Sequence, residues 1–413
     1  MARILAYTSP ARGHLYPLTP ILDELRRRGH DIALRTLSSE VALMRERGFD
    51  AAPISPQVEA IDLQDWRSRS PRRGLVLSVA GFCARAEHDE ADLRHAIDQV
   101  QPDVVIVDVN SWGALAAAER WGGPWACLSP YPLALRSRDV PPFGPGLAPA
   151  HGPLGRLRDR VARPLVLGAV EGAMLGPLNT VRTRAGLEPL HAVDELFRTP
   201  PLTLYLTAEP FEYPRSDWPE SIVMVGPCAW EPPAQLPEWL DAVDEPIVLL
   251  TTSSEFQDDG RLVRVALQAL AREPVHVIAT VPAGDPADFD VPANAHVCRY
   301  IPHSAVLEQA VCAITHGGMG ATQKALAHGV PVCAVPFGRD QLEVARRVEV
   351  ARAGTRLPAK RLRPDRLHTL VHDAISLTAG AQRVAAGFRT AGGPSAAASS
   401  IESRLLGVKP ARL

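Results

Sequence analysis

Paired cysteines, long apolar runs and any marked charge imbalance are missing from this sequence. Its six cysteines, Cys83, Cys127, Cys228, Cys298, Cys312 and Cys333, show no CxxC spacing, which excludes zinc ribbons and thioredoxin-like redox motifs. Several stand in apolar runs ("AVCAITH", "GVPVCAVP"), where a thiol packs as a small apolar group. They are expected to be reduced and structural, in a cytoplasmic protein. No run of about 18 apolar residues occurs, and "MARILAYTSPARGH" has no signal-peptide core. Neither integral membrane association nor export is therefore expected. Forty-four basic residues against 46 acidic ones leave a net charge of −2, which gives no reason to expect nucleic acid or an acidic membrane as the main partner. The arginine-dense stretches Arg67–Arg85 and Arg156–Arg163 are expected to be solvated faces.

What the chain does contain is alternation. At 413 residues it has room for two domains. "RILAYTSP" predicts a buried parallel strand, and "PLTPILDELRRRGH" a helix with Leu18, Ile21, Leu22 and Leu25 on one face. "DIALRTL", "PDVVIVDV" and "PWACLS" predict further strands, with the helix "WGALAAAERWG" between the last two. Strands alternating with helices imply a parallel sheet with crossover helices. A proline-rich stretch, "EPFEYPRSDWPE" to "EPPAQLP", then reads as a linker, and the pattern restarts with "EPIVLLTTSS". The fold class expected is α/β, two Rossmann-like parallel domains. Residues 1–209 form the first, 210–240 the linker and 241–390 the second.

Three clusters carry chemistry. In "THGGMGATQKALAHG", His316 and three glycines stand where an apolar strand turns into a helix. Gly317, Gly318 and Gly320 would let backbone approach a ligand closely, and the helix start favours phosphate; Thr322 adds a hydroxyl. The stretch is neither a GxGxxG fingerprint, since 323 is Gln323, nor a P-loop, since no GK[ST] follows. Asp340 and Gln341 follow the next strand, at the same carboxyl edge, and an acid beside an amide suits sugar hydroxyls. His14 follows the first strand and Asp108 ends "VVIVD". An imidazole oriented by a carboxylate is a general-base arrangement, although Asp108 could equally cap Asn110–Ser111.

Together these residues resemble the nucleotide-sugar-dependent glycosyltransferases of GT-B fold, the inverting natural-product enzymes of bacteria above all, over nearly the whole chain. In that family an early "GH…P" loop holds the base, matched by His14 in "RGHLYP", and its partner is matched by Asp108. The donor signature is matched from His316 through Gly329-Val330-Pro331 and Pro336 to Asp340 and Gln341. The resemblance implies that His316, Gly317, Gly318, Gly320, Thr322 and, in "TTSSEFQ", Ser254 meet the diphosphate. Tyr300 and Ile301 in "RYIPHSAVL" would meet the base, with His303 replacing a glutamine, and Asp340 and Gln341 the sugar. It also implies that residues 391–413 form a helix crossing back to the N-terminal domain.

Departures are Lys324, where relatives carry a ribose-binding glutamate, Ala321 in place of a hydroxyl, and Ser253 in place of glycine. "DFD", Asp288–Asp290, matches the metal-binding pattern of another glycosyltransferase fold but falls in a Pro/Gly-rich loop, so no metal and no cofactor are expected; a UDP- or dTDP-sugar is a co-substrate. The acceptor is expected to be a hydrophobic small molecule entering along residues 60–90 and 131–175, and the protein a monomer or homodimer. The alternatives are a same-fold enzyme acting on a lipid acceptor, which should carry a basic-apolar patch, a sugar-nucleotide epimerase, and a non-catalytic partner of another glycosyltransferase.

Overall fold

The computed structural model describes residues 1–68, 70–150, 152–255, 257 and 259–408. The first unit runs β1 (Arg3–Tyr7), α1 (Arg12–Arg27), β2 (Asp31–Thr36), α2 (Val41–Glu46), β3 (Asp50–Pro53), α3 (Pro56–Glu59), α4 (Pro71–Val100), β4 (Val104–Asp108), α5 (Trp112–Trp121), β5 (Trp125–Ser129), α6 (Gly152–Arg184), β6 (Leu202–Tyr205) and β7 (Ile222–Met224). Its seven parallel strands lie in the order β3-β2-β1-β4-β5-β6-β7. The second unit runs β8 (Ile247–Thr251), α7 (Gly260–Leu270), β9 (His276–Thr280), β10 (Ala295–Cys298), α8 (His303–Leu307), β11 (Ala310–Thr315), α9 (Met319–Ala327), β12 (Val332–Ala334), α10 (Gln341–Val350), β13 (Gly354–Arg356), α11 (Pro364–Ile375), α12 (Thr378–Thr390) and α13 (Gly393–Leu405). Its six parallel strands lie in the order β10-β9-β8-β11-β12-β13.

Each sheet is buried on both faces, as parallel sheets must be when crossover helices cover them. Strand alternation divides each core in two. Leu5 and Tyr7 of β1 point into one cluster, while Ile4 and Ala6 point into another. Ile247 and Leu249 of β8 likewise separate from Val248 and Leu250. All six cysteines are free.

Three features differ from the sequence expectation. Helix α1 begins at Arg12 and carries Pro17 and Pro20 inside it. A proline suits a first turn, which is why the sequence suggests a later start. His14 therefore stands in the first turn of α1 rather than in a loop. The proline-rich stretch is not all linker, because Ile222–Met224 pairs with β6 as the seventh strand. Finally, α6 is long and apolar enough by length and composition to cross a membrane; Arg163 and Glu171 interrupt its apolar run.

The chain passes between the units twice. After β7 it crosses to β8, and at its end α13 returns. Ala397, Ala398 and Ile401 of α13 are fully buried in the core that holds Leu15, Leu18 and Leu22 of α1. Arg28 donates to Glu402 at 2.6 Å and to Ser399 Oγ at 2.9 Å. Residues 409–413 of the expected C-terminal segment lie outside the described residues.

A buried charge cluster joins the units between these crossings. Arg347 of α10 donates to Glu212 through Nε (3.1 Å) and Nη2 (2.9 Å), and to Glu343 through Nη1 (3.0 Å). The Arg347 and Glu212 side chains are 1% and 0% exposed. Glu343 in turn accepts from the amides of Gly144 and Gly146, at 2.7 and 2.9 Å. Burial alone would raise the Glu212 carboxyl, but Arg347 outweighs it and holds the pKa below the ordinary value. Removing one member of such a cluster strands a charge without water. Arg347→Met should therefore lower stability by about 3–5 kcal/mol, read as the shift in chemical denaturation; a denaturation curve matching wild type would show that the cluster does not hold the units together.

Candidate active site

Open α/β sheets bind ligands where strand order reverses, outside the carboxyl ends of the strands. In the first sheet that point lies between β1 and β4, and in the second between β8 and β11. His14 follows β1 and Asp108 ends β4. Ser254 follows β8 and His316 follows β11. The sequence has placed its chemistry at both switch points.

At the first, His14 Nδ1 lies 2.6 Å from Asp108 Oδ2. The Asp108 side chain is fully buried, whereas that of His14 is 14% exposed. The other Asp108 oxygen accepts from the Asn110 amide at 2.9 Å, so this carboxylate both caps the turn and orients the ring. Asn110 Nδ2 lies 3.3 Å from His14 Nε2, and Asn110 Oδ1 accepts from Tyr131 at 2.7 Å. The chain Tyr131–Asn110–His14–Asp108 suits one tautomer, with the proton on Nδ1 and the lone pair on Nε2. Burial would push the imidazole down, but the charge and hydrogen bond of Asp108 raise it above the ordinary histidine value. Glu255 and Asp340 of the second unit add to that rise, so the two switch points face each other closely enough to interact.

At the second, Gly317 has φ +83°, and a Cβ there would press on the Gln341 backbone oxygen at 3.2 Å. A Cβ on Gly318 would come 2.3 Å from His316 Nε2. Gly320 faces open space. Two of these glycines thus serve close packing and one leaves the start of α9 uncovered. His316 is buried, and its Nδ1 has no hydrogen-bond partner. Burial, with the charge of Arg339 adding to the fall, pushes its pKa down to about 4. The ring is therefore neutral, with one nitrogen unused by the fold.

Some assigned residues are placed otherwise than the motif suggests. Thr322 is fully buried and its hydroxyl meets Thr315 at 3.2 Å, because it falls on the inner face of α9; it shapes the turn and does not line the cleft. Gln341 is 2% exposed. Its Oε1 accepts from the amides of Phe337 and Gly338, and its Nε2 donates to Gln257. This amide holds the loop that presents Asp340. Asp340 occupies the N-cap position of α10 without a side-chain cap bond, leaving its carboxylate available. Ser254 is exposed in the loop after β8. Tyr300 is partly exposed and donates to the Pro232 carbonyl at 2.6 Å, whereas Ile301 is buried in the core. Asp288 and Asp290 are exposed around a turn between β9 and β10.

Other residues at the site carry no motif. Arg339, at φ +53°, bonds Asp65 of the first unit through Nε (2.7 Å) and Nη2 (2.9 Å), and Glu255 of the second through Nη1 (2.9 Å). It spans the cleft. Lys324 donates to Glu231 at 2.5 Å, so the carboxylate beside α9 comes from the chain between the units. Burial would raise Glu231, but Lys324 holds it at about 2.

Across residues 264–403 the chain matches the family model described as erythromycin biosynthesis protein CIII-like, C-terminal domain. It is 34% identical over 380 residues to the 4'-demethylrebeccamycin synthase of Lentzea aerocolonigenes, covering 87% of this chain and 89% of that protein. Identity to the PGL/p-HBAD biosynthesis rhamnosyltransferase of Mycobacterium bovis (strain BCG / Pasteur 1173P2) is 35% over 303 residues, covering 70% of this chain and 63% of that one. Among solved structures, the glycosyltransferase of kitacinnamycin matches with a TM-score of 0.74 at 24% identity, over 98% of this chain and 99% of that one. The glycosyltransferase VinC, in complex with dTDP, matches at 0.70 and 22%, over 98% and 100%. These last two are likenesses of fold.

The geometry at His14 is open to direct measurement. Its imidazole should titrate above the ordinary histidine value of about 6.5, followed by NMR of the ring protons. Asp108→Asn removes the charge that raises it, so the midpoint should fall. An unchanged midpoint would mean that the pair does not exist in solution.

Proposed function

The chain belongs to the glycosyltransferases of natural-product biosynthesis, and from that membership we propose that it moves a sugar from a UDP- or dTDP-sugar to a hydroxyl of an apolar small molecule, inverting the anomeric carbon. The observation that carries this reading is the bond from His14 Nδ1 to Asp108, which leaves Nε2 as the proton acceptor. The acceptor hydroxyl takes the position near Nε2 that Asn110 Nδ2 now holds. Its proton passes to Nε2 as its oxygen bonds the anomeric carbon. The bond from that carbon to the diphosphate oxygen breaks, and the diphosphate leaves with the electron pair. Asp108 stabilises the imidazolium that forms.

The diphosphate lies against the start of α9, where Gly317, Gly318 and Gly320 bring backbone close and the unpaired amides of the first turn supply donors. His316 and Ser254 flank it. The base lies by Tyr300 and the backbone of Ile301. Asp340 takes the sugar hydroxyls, and Gln341 keeps it in place. Charge on the departing diphosphate is met by these dipoles, and the reaction as proposed uses no metal. Among the described residues, the one three-membered cluster of metal-ligand types is Glu273, His368 and His372. Glu273 precedes β9 and so stands at the amino edge of the sheet, away from the cleft.

Two substitutions separate the roles. His14→Ala should cost about 10²–10⁴-fold in turnover with donor affinity retained, because the ring stands on the opposite side of the cleft from the donor. Turnover near wild type with an alcohol acceptor would remove His14 from the mechanism. Asp340→Ala should weaken the intact sugar nucleotide by more than about tenfold, as loss of a charge-assisted hydrogen bond implies, while free nucleoside diphosphate binds as before. Calorimetry with the two ligands reads this, and equal loss for both would assign Asp340 to the loop instead.

A further inference from the structure

Four of the large apolar side chains that the fold leaves exposed stand on one helix. Leu154, Leu157, Val161 and Leu165 of α6 are 83%, 58%, 59% and 72% exposed. Their spacing of three and four residues puts them on a single face, a stripe roughly 17 Å long at 1.5 Å per residue. Only Asp159 is buried in this half of the helix; Leu178, Val181 and Arg182, the other buried positions, lie at the far end. Exposed apolar residues scattered singly need no explanation, but a contiguous row is a contact surface.

The charges around the row identify what it contacts. Between 152 and 165 stand Arg156, Arg158, Arg160 and Arg163 with one acidic residue, Asp159. That aspartate is turned inward and paired with Arg158. Arg163 donates to the Val140 carbonyl; helical spacing puts the exposed Arg158 and Arg160 on the two flanks of the apolar row and the exposed Arg156 on the side away from it. A second copy of this chain laid on the same face would bring two arginine-rich segments together, at a repulsive cost. A bilayer with anionic headgroups reverses the sign, since each arginine near such a surface is attracted to it. Leucine and valine enter the acyl boundary while the arginine stems reach back to the headgroups. The near-neutral charge of the whole chain conceals this local patch.

We propose that the N-terminal half of α6 lies in the interface of an anionic phospholipid bilayer and holds the protein there as a peripheral membrane protein. The inference does not rest on the catalytic assignment of any residue. It would hold the acceptor-binding unit beside a phase that dissolves apolar molecules.

Vesicle flotation tests it with the full chain. Vesicles of equimolar phosphatidylcholine and phosphatidylglycerol should carry the protein upward, and vesicles of phosphatidylcholine alone should carry far less. Arg160→Glu, on the flank of the row, should weaken partition by at least about fivefold, and raised salt should do the same. The triple substitution Leu157→Ser, Val161→Ser and Leu165→Ser should abolish flotation. These side chains are exposed, so far-UV circular dichroism and nucleoside diphosphate binding should not change and serve as the folding control. Failure to float with anionic vesicles, or equal flotation of the triple variant, would overturn the proposal. So would a wild-type dimer in sedimentation that the triple variant converts to monomer, since the face would then belong to a second copy.

Discussion

A guanidinium without water must find its charge balance in protein, and Arg347 finds it on both sides of the cleft. Its partners are Glu212, from the chain that follows β6, and Glu343, one turn earlier on α10. Arg215 also reaches Glu212, at 3.5 Å, and since desolvating each ion costs several kcal/mol, these four charges tolerate few arrangements. That constraint reaches the site directly. Helix α10 begins at Gln341, next to Asp340, and Glu343 also gathers the amides of Gly144 and Gly146. The start of α10 is thereby positioned from behind, by groups that touch no ligand.

The two histidines at the switch points show how one residue type is tuned to opposite ends. Both rings are substantially buried, which alone disfavours the charged form. His14 has a buried carboxylate at hydrogen-bond distance and readily holds a proton. His316 has no such partner, feels Arg339, and stays neutral. One ring is suited to accept a proton and the other to contribute polarity without changing charge. Different neighbours are enough to divide the labour.

The parts legible in the sequence were those with local cause. Apolar runs between helical patterns announce two parallel sheets, and the glycines of "HGG" a tight strand-to-helix turn. His14 and Asp108 were recognisable because each follows or ends a strand at the same edge. Their pairing needed the order of strands, which places β1 beside β4. Asn110 and Tyr131 were overlooked because an asparagine and a tyrosine in a loop carry no spacing signal. The bridges Arg339–Asp65 and Lys324–Glu231 join residues 274 and 93 positions apart, a separation that no local pattern encodes. The burial of Thr322 is not legible in the motif, which specifies residue type, while the helix phase decides which side of α9 faces the core. The strand β7 was hidden by prolines around a run of three residues.

The return of α13 has a consequence for how such chains can be recombined. Its alanines complete the core of the first unit, and Arg28 closes on Glu402 across 374 positions of sequence. The first unit is thus discontinuous, made from both ends of the polypeptide. A hybrid that exchanges halves at a single junction after β7 would seat a foreign helix in a native socket. Grafting onto this scaffold calls for two junctions, with the terminal helix travelling together with the amino-terminal half whose surface it completes.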